Sequence, residues 1–242
     1  MRSKHYRPEV DERLVLWDVD GTLLRTNGVA QRAFDVAAAH VLGRPPGPHE
    51  VRMSGKTDPL IALEILLFAG LAEEDARGLL PRVVERLEAE LEGARDLVRE
   101  QGHVMPGVEA VLAELHDDPL VVQSVLTGNT ASNAAVKLEA FALDRWIDVE
   151  VGAFGSDDAD REQLVPVALD RVRRLRGRTL GPDDVWVVGD TPRDLACARA
   201  GGARCLLVAT GRFALEELEG EGPDEVLPDL TDTGAVLRLL RS

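Results

Sequence analysis

Cysteine is nearly absent from this chain of 242 residues, which holds only Cys197 and Cys205. Two thiols build no disulfide framework in a chain of this size, so a reducing, cytoplasmic compartment is expected. Long hydrophobic runs are missing too: no stretch reaches the length of a membrane span. Residues 1–12 are polar and charged with no apolar run, and no signal peptide is expected there. Positive charge is in short supply, 28 Lys and Arg against 43 Asp and Glu, for a formal net charge of −15. That balance argues against a nucleic-acid partner, which demands a basic face, and against an anionic membrane surface. There is no internal repeat and no low-complexity tract. With 45% hydrophobic and 29% charged residues, the composition is that of an ordinary globular protein.

Short β-branched or Leu-rich runs alternate with longer helical patterns, which predicts repeated βα units on a mostly parallel sheet, an α/β fold. Strands are expected near 14–18, 120–127, 146–152, 184–189 and 204–208. The interval between the first two is too long for a simple crossover and is helical throughout. It reads as an insertion, giving a core of residues 1–27 and 103–242 and a helical unit of residues 28–102. Helices are expected over 28–42, 58–69 and 73–100, the last with a candidate break at Gly78-Leu79-Leu80-Pro81. Val84, Leu87, Leu91 and Val98 supply its apolar face. Thr57 or Asp58 can cap the middle helix, with Pro59 in its first turn. Pro106-Gly107 marks the return to the core, before a helix over 108–116.

The segment that specifies chemistry is Asp18-Val19-Asp20-Gly21-Thr22, directly after the apolar run Leu14-Val15-Leu16-Trp17. Residues i and i+2 share a strand face, and a turn at Gly21 would bring both carboxylates to one place. In parallel α/β sheets ligands collect beyond the carboxyl ends of the strands. Thr127-Gly128-Asn129-Thr130 ends the second strand before a helix starting near Ala131. It offers a hydroxyl and backbone N–H groups to a phosphate, or simply a helix cap. Gly189-Asp190-Thr191-Pro192-Arg193-Asp194 ends the fourth strand. Asp190 and Asp194 supply the hard oxygen ligands Mg²⁺ requires, and without a cation Asp18, Asp20 and Asp190 would repel one another. A fixed positive side chain is also needed. Arg161, opening the helix after the third strand, is the candidate, with Lys137 second and read as facing solvent.

These pieces, in this order, resemble the haloacid dehalogenase superfamily, in its phosphatase branch with a small helical cap. The resemblance covers nearly the whole chain: Asp18-Val19-Asp20-Gly21-Thr22-Leu23 as first motif, Thr127 as second, Arg161 as third and 189–194 as fourth. It is nearest in general likeness to phosphoglycolate phosphatases and β-phosphoglucomutases. It implies a Rossmann-like core with the first strand flanked by the second and fourth. Arg161 stands where Lys is more usual. Asp20 sets the chain apart from dehalogenases, which lack an acid at that position.

What the resemblance implies is a Mg²⁺-dependent hydrolase of a small phosphorylated metabolite. Asp18 would be the nucleophile and Asp20 the general acid and base. Asp18, the Asp20 carbonyl and Asp190 would hold the metal, with Asp194 as ligand or support. Thr127, Gly128, Asn129 and Arg161 would engage the phosphoryl oxygens. Arg52, Ser54, Gly55 and Lys56 form a polar, basic stretch like the cap loops that reach such sites; otherwise it is an exposed loop. Hinges are expected at 25–28 and 102–107. A phosphomutase and a phospho-acceptor signalling module are the rival functions.

Overall fold

Five residues, Arg13–Trp17, start the sheet as β1, and the burial of Leu14, Val15, Leu16 and Trp17 on both faces is what a central parallel strand requires. The structure, a computed structural model, describes residues 12–242. Most of the opening segment read as carrying no signal peptide therefore lies outside the described residues. In chain order, β1 is followed by β2 (Leu24–Arg25) and then by the helices α1 (Val29–Leu42), α2 (Asp58–Phe68), α3 (Glu73–Gly93) and α4 (Arg95–Gln101). Next come β3 (His103–Val104), α5 (Val108–His116), β4 (Val121–Thr127), α6 (Ala131–Ala140) and β5 (Ala153–Phe154). The remainder is α7 (Leu164–Arg176), β6 (Val185–Gly189), α8 (Pro192–Ala200), β7 (Arg204–Val208), α9 (Leu215–Gly220), β8 (Glu225–Leu227) and α10 (Thr233–Leu240).

Six strands form one sheet in the order β5-β4-β1-β6-β7-β8, every pair parallel. β1 lies between β4 and β6, so the ends of the first, second and fourth predicted strands meet at one sheet edge. One apolar cluster, with Val15, Trp17 and Leu112, fills one face of the sheet, and a second, with Leu14, Leu16 and Leu207, fills the other. Helices α1 to α4 bury a third cluster of their own, including Phe34, Ile65, Leu66, Leu87 and Leu91, against Val136 and Ala140 of α6. The chain leaves for these helices through β2 and returns through β3. The two pair antiparallel, Leu24 against Val104 and Arg25 against His103.

Two expectations need correction. The third strand is not at 146–152. Two 3-10 turns, Asp144–Trp146 and Val149–Val151, occupy that stretch, and the strand is the two residues Ala153–Phe154. Asp148 diverts the chain: its carboxylate accepts from the Glu150 N–H at 3.3 Å while its backbone bonds Gln123 O at 2.8 Å. Pro81 does not break the third helix, which runs through it to Gly93. The break comes at Ala94, whose φ of −99° and ψ of 10° leave the helical region.

Candidate active site

The turn after β1 puts both acids of Asp18-Val19-Asp20 at the sheet edge. Gly21 makes it possible. Its φ is +96°, and a Cβ there would lie 2.5 Å from Asp190 Oδ2. Asp18 is buried. Its Oδ1 accepts from Arg161 Nη2 at 2.9 Å, and the same nitrogen donates to Asp194 Oδ1. Asp194 is buried too, with its Oδ2 accepting from Thr191 N at 3.0 Å and Thr191 Oγ1 at 2.7 Å. One guanidinium thus ties the first-motif acid to the fourth-motif acid across the β1–β6 pair.

Asp18, Asp190 and Asp194 each present a carboxylate oxygen within 4.8 Å of the other two. Buried acids this close repel one another when ionised. Burial, then Asp194 and Asp20, push Asp18 up to about 7 against the pull of Arg161. Asp190 is raised well above the usual carboxylate range by burial and by Asp18. Burial opposes the charge on Arg161, but Asp194 and Asp18 outweigh it and keep the guanidinium cationic. The donor set is all hard oxygen and fits a divalent cation. Within it Asp190 has the least occupied carboxylate, accepting among the described residues only a 3.4 Å bond from Thr22 Oγ1. Asp194 is already committed to Arg161 and Thr191.

Beside this cluster, Asp20 is held differently. Its Oδ2 accepts from Lys137 Nζ at 2.6 Å and from Asn129 Nδ2 at 2.8 Å. Lys137 also donates to Asn129 Oδ1 at 2.5 Å, and Asn129 Nδ2 donates to Thr127 Oγ1 at 2.7 Å. Lys137 is buried, not facing solvent as its helix position suggested. The sequence holds the sign: Lys137 lies one helical turn beyond Asn133 among the apolar residues Ala134, Val136 and Leu138, all of them buried.

A cavity of about 220 Å³ opens over these groups. Asp18, Asp20, Thr127, Gly128, Asn129, Lys137 and Arg161 form its sheet side. The helical side is made by α1 and by the loop into α2, where Ser54, Gly55, Lys56 and Asp58 line it. Arg52 is exposed and does not reach it. Lys56 does, with its ammonium donating to Glu64 Oε1 at 2.7 Å and Oε2 at 2.5 Å. Asp58 carries no sequence motif, yet it is buried and joins the two sides. Its Oδ2 accepts from Thr130 N at 2.9 Å and Asn133 Nδ2 at 2.7 Å, and its own N–H donates to Gly128 O at 2.7 Å. Thr57 caps α2 through Leu60 N at 3.4 Å and donates to Ala159 O at 3.1 Å. The loop sits so close that a Cβ on Gly128 would fall 2.0 Å from Lys56 O.

A family model for haloacid dehalogenase-like hydrolases matches residues 15–199, most of the chain and every group just described. The chain belongs to this family. Among the relatives of this haloacid dehalogenase-like hydrolase is phosphoglycolate phosphatase 1 of Pseudomonas aeruginosa, 30% identical over 231 residues, which cover 91% of this chain and 78% of that one. A Caldanaerobacter subterraneus protein provisionally named a pyrophosphatase is 26% identical over 217 residues, 89% of this chain and 90% of that one. A hydrolase from Pseudomonas syringae of known structure shares the fold at 22% identity, with a TM-score of 0.67 over 96% of this chain and 100% of that one.

Proposed function

We propose that this hydrolase is a Mg²⁺-dependent phosphatase that cleaves a small phosphate monoester through an aspartyl-phosphate. One observation carries the reading: a buried carboxylate, Asp18, lies on the wall of a cavity with the polar and cationic groups Thr127, Gly128, Lys137 and Arg161 beside it and two further buried acids, Asp190 and Asp194, within reach. Phosphatase names among the relatives support it. Asp18, the Asp20 carbonyl and Asp190 would hold the Mg²⁺, with Asp194 in support. When bound, the ion offsets the charge of the acids and of the phosphate oxygens.

In the first half-reaction an Asp18 carboxylate oxygen attacks phosphorus. The new P–O bond forms as the ester P–O bond breaks, and the departing alkoxide takes a proton from Asp20. In the second, water attacks the acyl-phosphate and gives its proton back to Asp20. Inorganic phosphate leaves and the Asp18 carboxylate is restored. Lys137 and Asn129 occupy Asp20 Oδ2, which leaves Oδ1 as the oxygen that would face the leaving group. The Thr127 hydroxyl, the Gly128 N–H and Arg161 would steady the transferring phosphoryl oxygens. We assign residues 28–102 the role of a cap over residues 1–27 and 103–242; with Thr57 and Asp58 bonded to the core, it would exclude water during transfer. Acting on a small phosphorylated metabolite, the enzyme would work in the cytoplasm.

The test is phosphate release from a panel of metabolite esters with and without Mg²⁺, by the wild-type chain and by Asp18→Asn. A loss of at least about 10³-fold in kcat is expected for a missing nucleophile. Metal-dependent turnover near wild type by a folded Asp18→Asn protein overturns the mechanism.

A further inference from the structure

Beyond the phosphoryl group, the cavity must accept the organic part of the ester. Three cations line it, and each is already bound by carboxylate. Arg161 serves Asp18 and Asp194, Lys137 serves Asp20, and Lys56 is held by both oxygens of Glu64. The Lys56–Glu64 pair decides the character of the helical side, because Lys56 is the one lining cation that side contributes. Its side chain is 15% exposed and that of Glu64 28%, so the pair is shielded from bulk solvent over most of its surface. Apart from the acid Asp58, the rest of that side is neutral. Thr26, Gln31 and Ser54 supply polar atoms, and Phe34, Met53 and Ile61 supply apolar surface.

A second anionic group on the substrate would therefore lie against this wall without a free cation among the described residues. It would also lie near the carboxylates of Asp58 and Asp20. A charge buried without a partner is strongly disfavoured, whereas hydroxyl groups find donors and acceptors in Gln31, Ser54 and Thr26. At about 220 Å³ the cavity is also smaller than those that hold drug-sized ligands. We infer that the substrate is the phosphate monoester of a small, uncharged, hydroxylated alcohol, and that Glu64 sets this preference by neutralising Lys56. The inference rests on the phosphatase reading and names its substrate class. It separates this chain from relatives named for phosphoglycolate, which carries a carboxylate, and for pyrophosphate, which carries a second phosphate. Glu64 makes no contact with the reacting groups, so it acts as a specificity-determining residue through Lys56.

The experiment measures kcat/KM for phosphate release by the full chain in Mg²⁺, with glycerol 3-phosphate and propyl phosphate as neutral esters and phosphoglycolate and pyrophosphate as charged ones. The wild-type protein is expected to favour the neutral esters by at least about tenfold, roughly 1.4 kcal/mol. Glu64→Gln frees Lys56 and should raise kcat/KM for phosphoglycolate about fivefold or more, with the neutral esters changed less than twofold. A wild-type preference for phosphoglycolate or pyrophosphate overturns the inference. So does a folded Glu64→Gln protein whose ratio is unchanged. Should that variant not fold, the wild-type ratio decides alone. Absence of turnover on every ester, p-nitrophenyl phosphate included, overturns the phosphatase reading itself and this inference with it.

Discussion

On the sheet side of the cavity the acids just past β1 are fixed by cations carried on helical segments: Arg161 between Asp18 and Asp194, Lys137 between Asp20 and Asn129. On the helical side the wall is mostly neutral, and its one lining cation, Lys56, is tied to Glu64 behind it. The first side is dense with charge because a transferring phosphoryl group needs fixed charges that do not reorganise as the reaction proceeds. The second has no such demand and can vary with the alcohol it receives. Strand ends hold side chains rigidly, since the backbone that carries them is hydrogen-bonded on both sides. The loop into α2 is held instead by a few bonds to the core, chiefly those of Thr57 and Asp58.

The sharpest way to break the contrast is to remove the cation that links the two buried acids. Arg161→Met keeps an unbranched apolar stem but leaves Asp18 and Asp194 facing each other with no counter-charge. Breaking a buried pair in this way costs about 3–5 kcal/mol. Chemical denaturation of the metal-free protein should show a loss of that size, together with loss of phosphatase activity. A loss below about 1 kcal/mol would mean that the guanidinium does not hold the two acids together.

Cation binding probes the same acids with a smaller effect. Burial and the neighbouring acids raise Asp18 from 3.8 to about 7, so the native state binds its proton more tightly than the unfolded chain does. The stability gained from that proton is full below about pH 4 and is lost as the pH rises through 7. With the proposed ligand set, Mg²⁺ would have to displace the same proton. At a hundredfold excess over Kd at pH 7.5 it should stabilise the protein by about 2.7 kcal/mol. At pH 5 the proton competes across two pH units, weakening the ion by up to about a hundredfold, so little stabilisation remains. Thermal melts with and without Mg²⁺ at both pH values measure the difference. Equal shifts at pH 5 and 7.5 would remove Asp18 from the ion's ligands.

The two sides also differ in how far the sequence announces them. The sheet side was legible because each acid follows a short apolar run, and a run that ends in Asp reads as a strand delivering a ligand. The Val185–Gly189 strand and Asp190 are of this kind, as are Arg13–Trp17 and Asp18. The third strand was misplaced because Trp146 to Gly152 has the β-branched content of a strand, while Asp148 captures the local N–H of Glu150 and curls the chain into 3-10 turns. Lys137 was misread because a lysine on a helix is ordinarily solvated. Its apolar neighbours on α6 mark an inward face, and the fold shows that this face turns toward Asp20. β8 leaves no sign in the sequence: three residues, Glu225–Leu227, are too few to carry a periodic signal. Of the helical side, the caps and helix spans could be read. What Asp58 touches could not, because its partners Thr130 and Asn133 lie more than 70 residues away.

Asp58 therefore gives the finest test of the contrast, since it is the helical side's own buried acid. Asp58→Ala removes the acceptor for Thr130 N–H and Asn133 Nδ2 and leaves both donors buried without a partner, at a cost of about 2 kcal/mol. Asp58→Asn keeps an acceptor oxygen in the same place and should cost less than about 1 kcal/mol. The pH dependence distinguishes the pair further. Burial raises the Asp58 carboxyl above 3.8, against the pull of Lys137 and the hydrogen bond from Asn133, so its ionisation above that range weakens the fold. The stability this acid contributes is complete below pH 3.8 and declines as the pH rises through its raised value. Asn carries no such charge, so Asp58→Asn should gain on the parent from pH 4 upward. Urea denaturation of both proteins across pH 4 to 8 reads the slope directly. A gap between them that stays constant, or widens in favour of the parent with rising pH, would mean that the acid stays charged without cost, and that the contact between α2 and the α6 N-terminus is an ion-assisted clasp centred on Lys137.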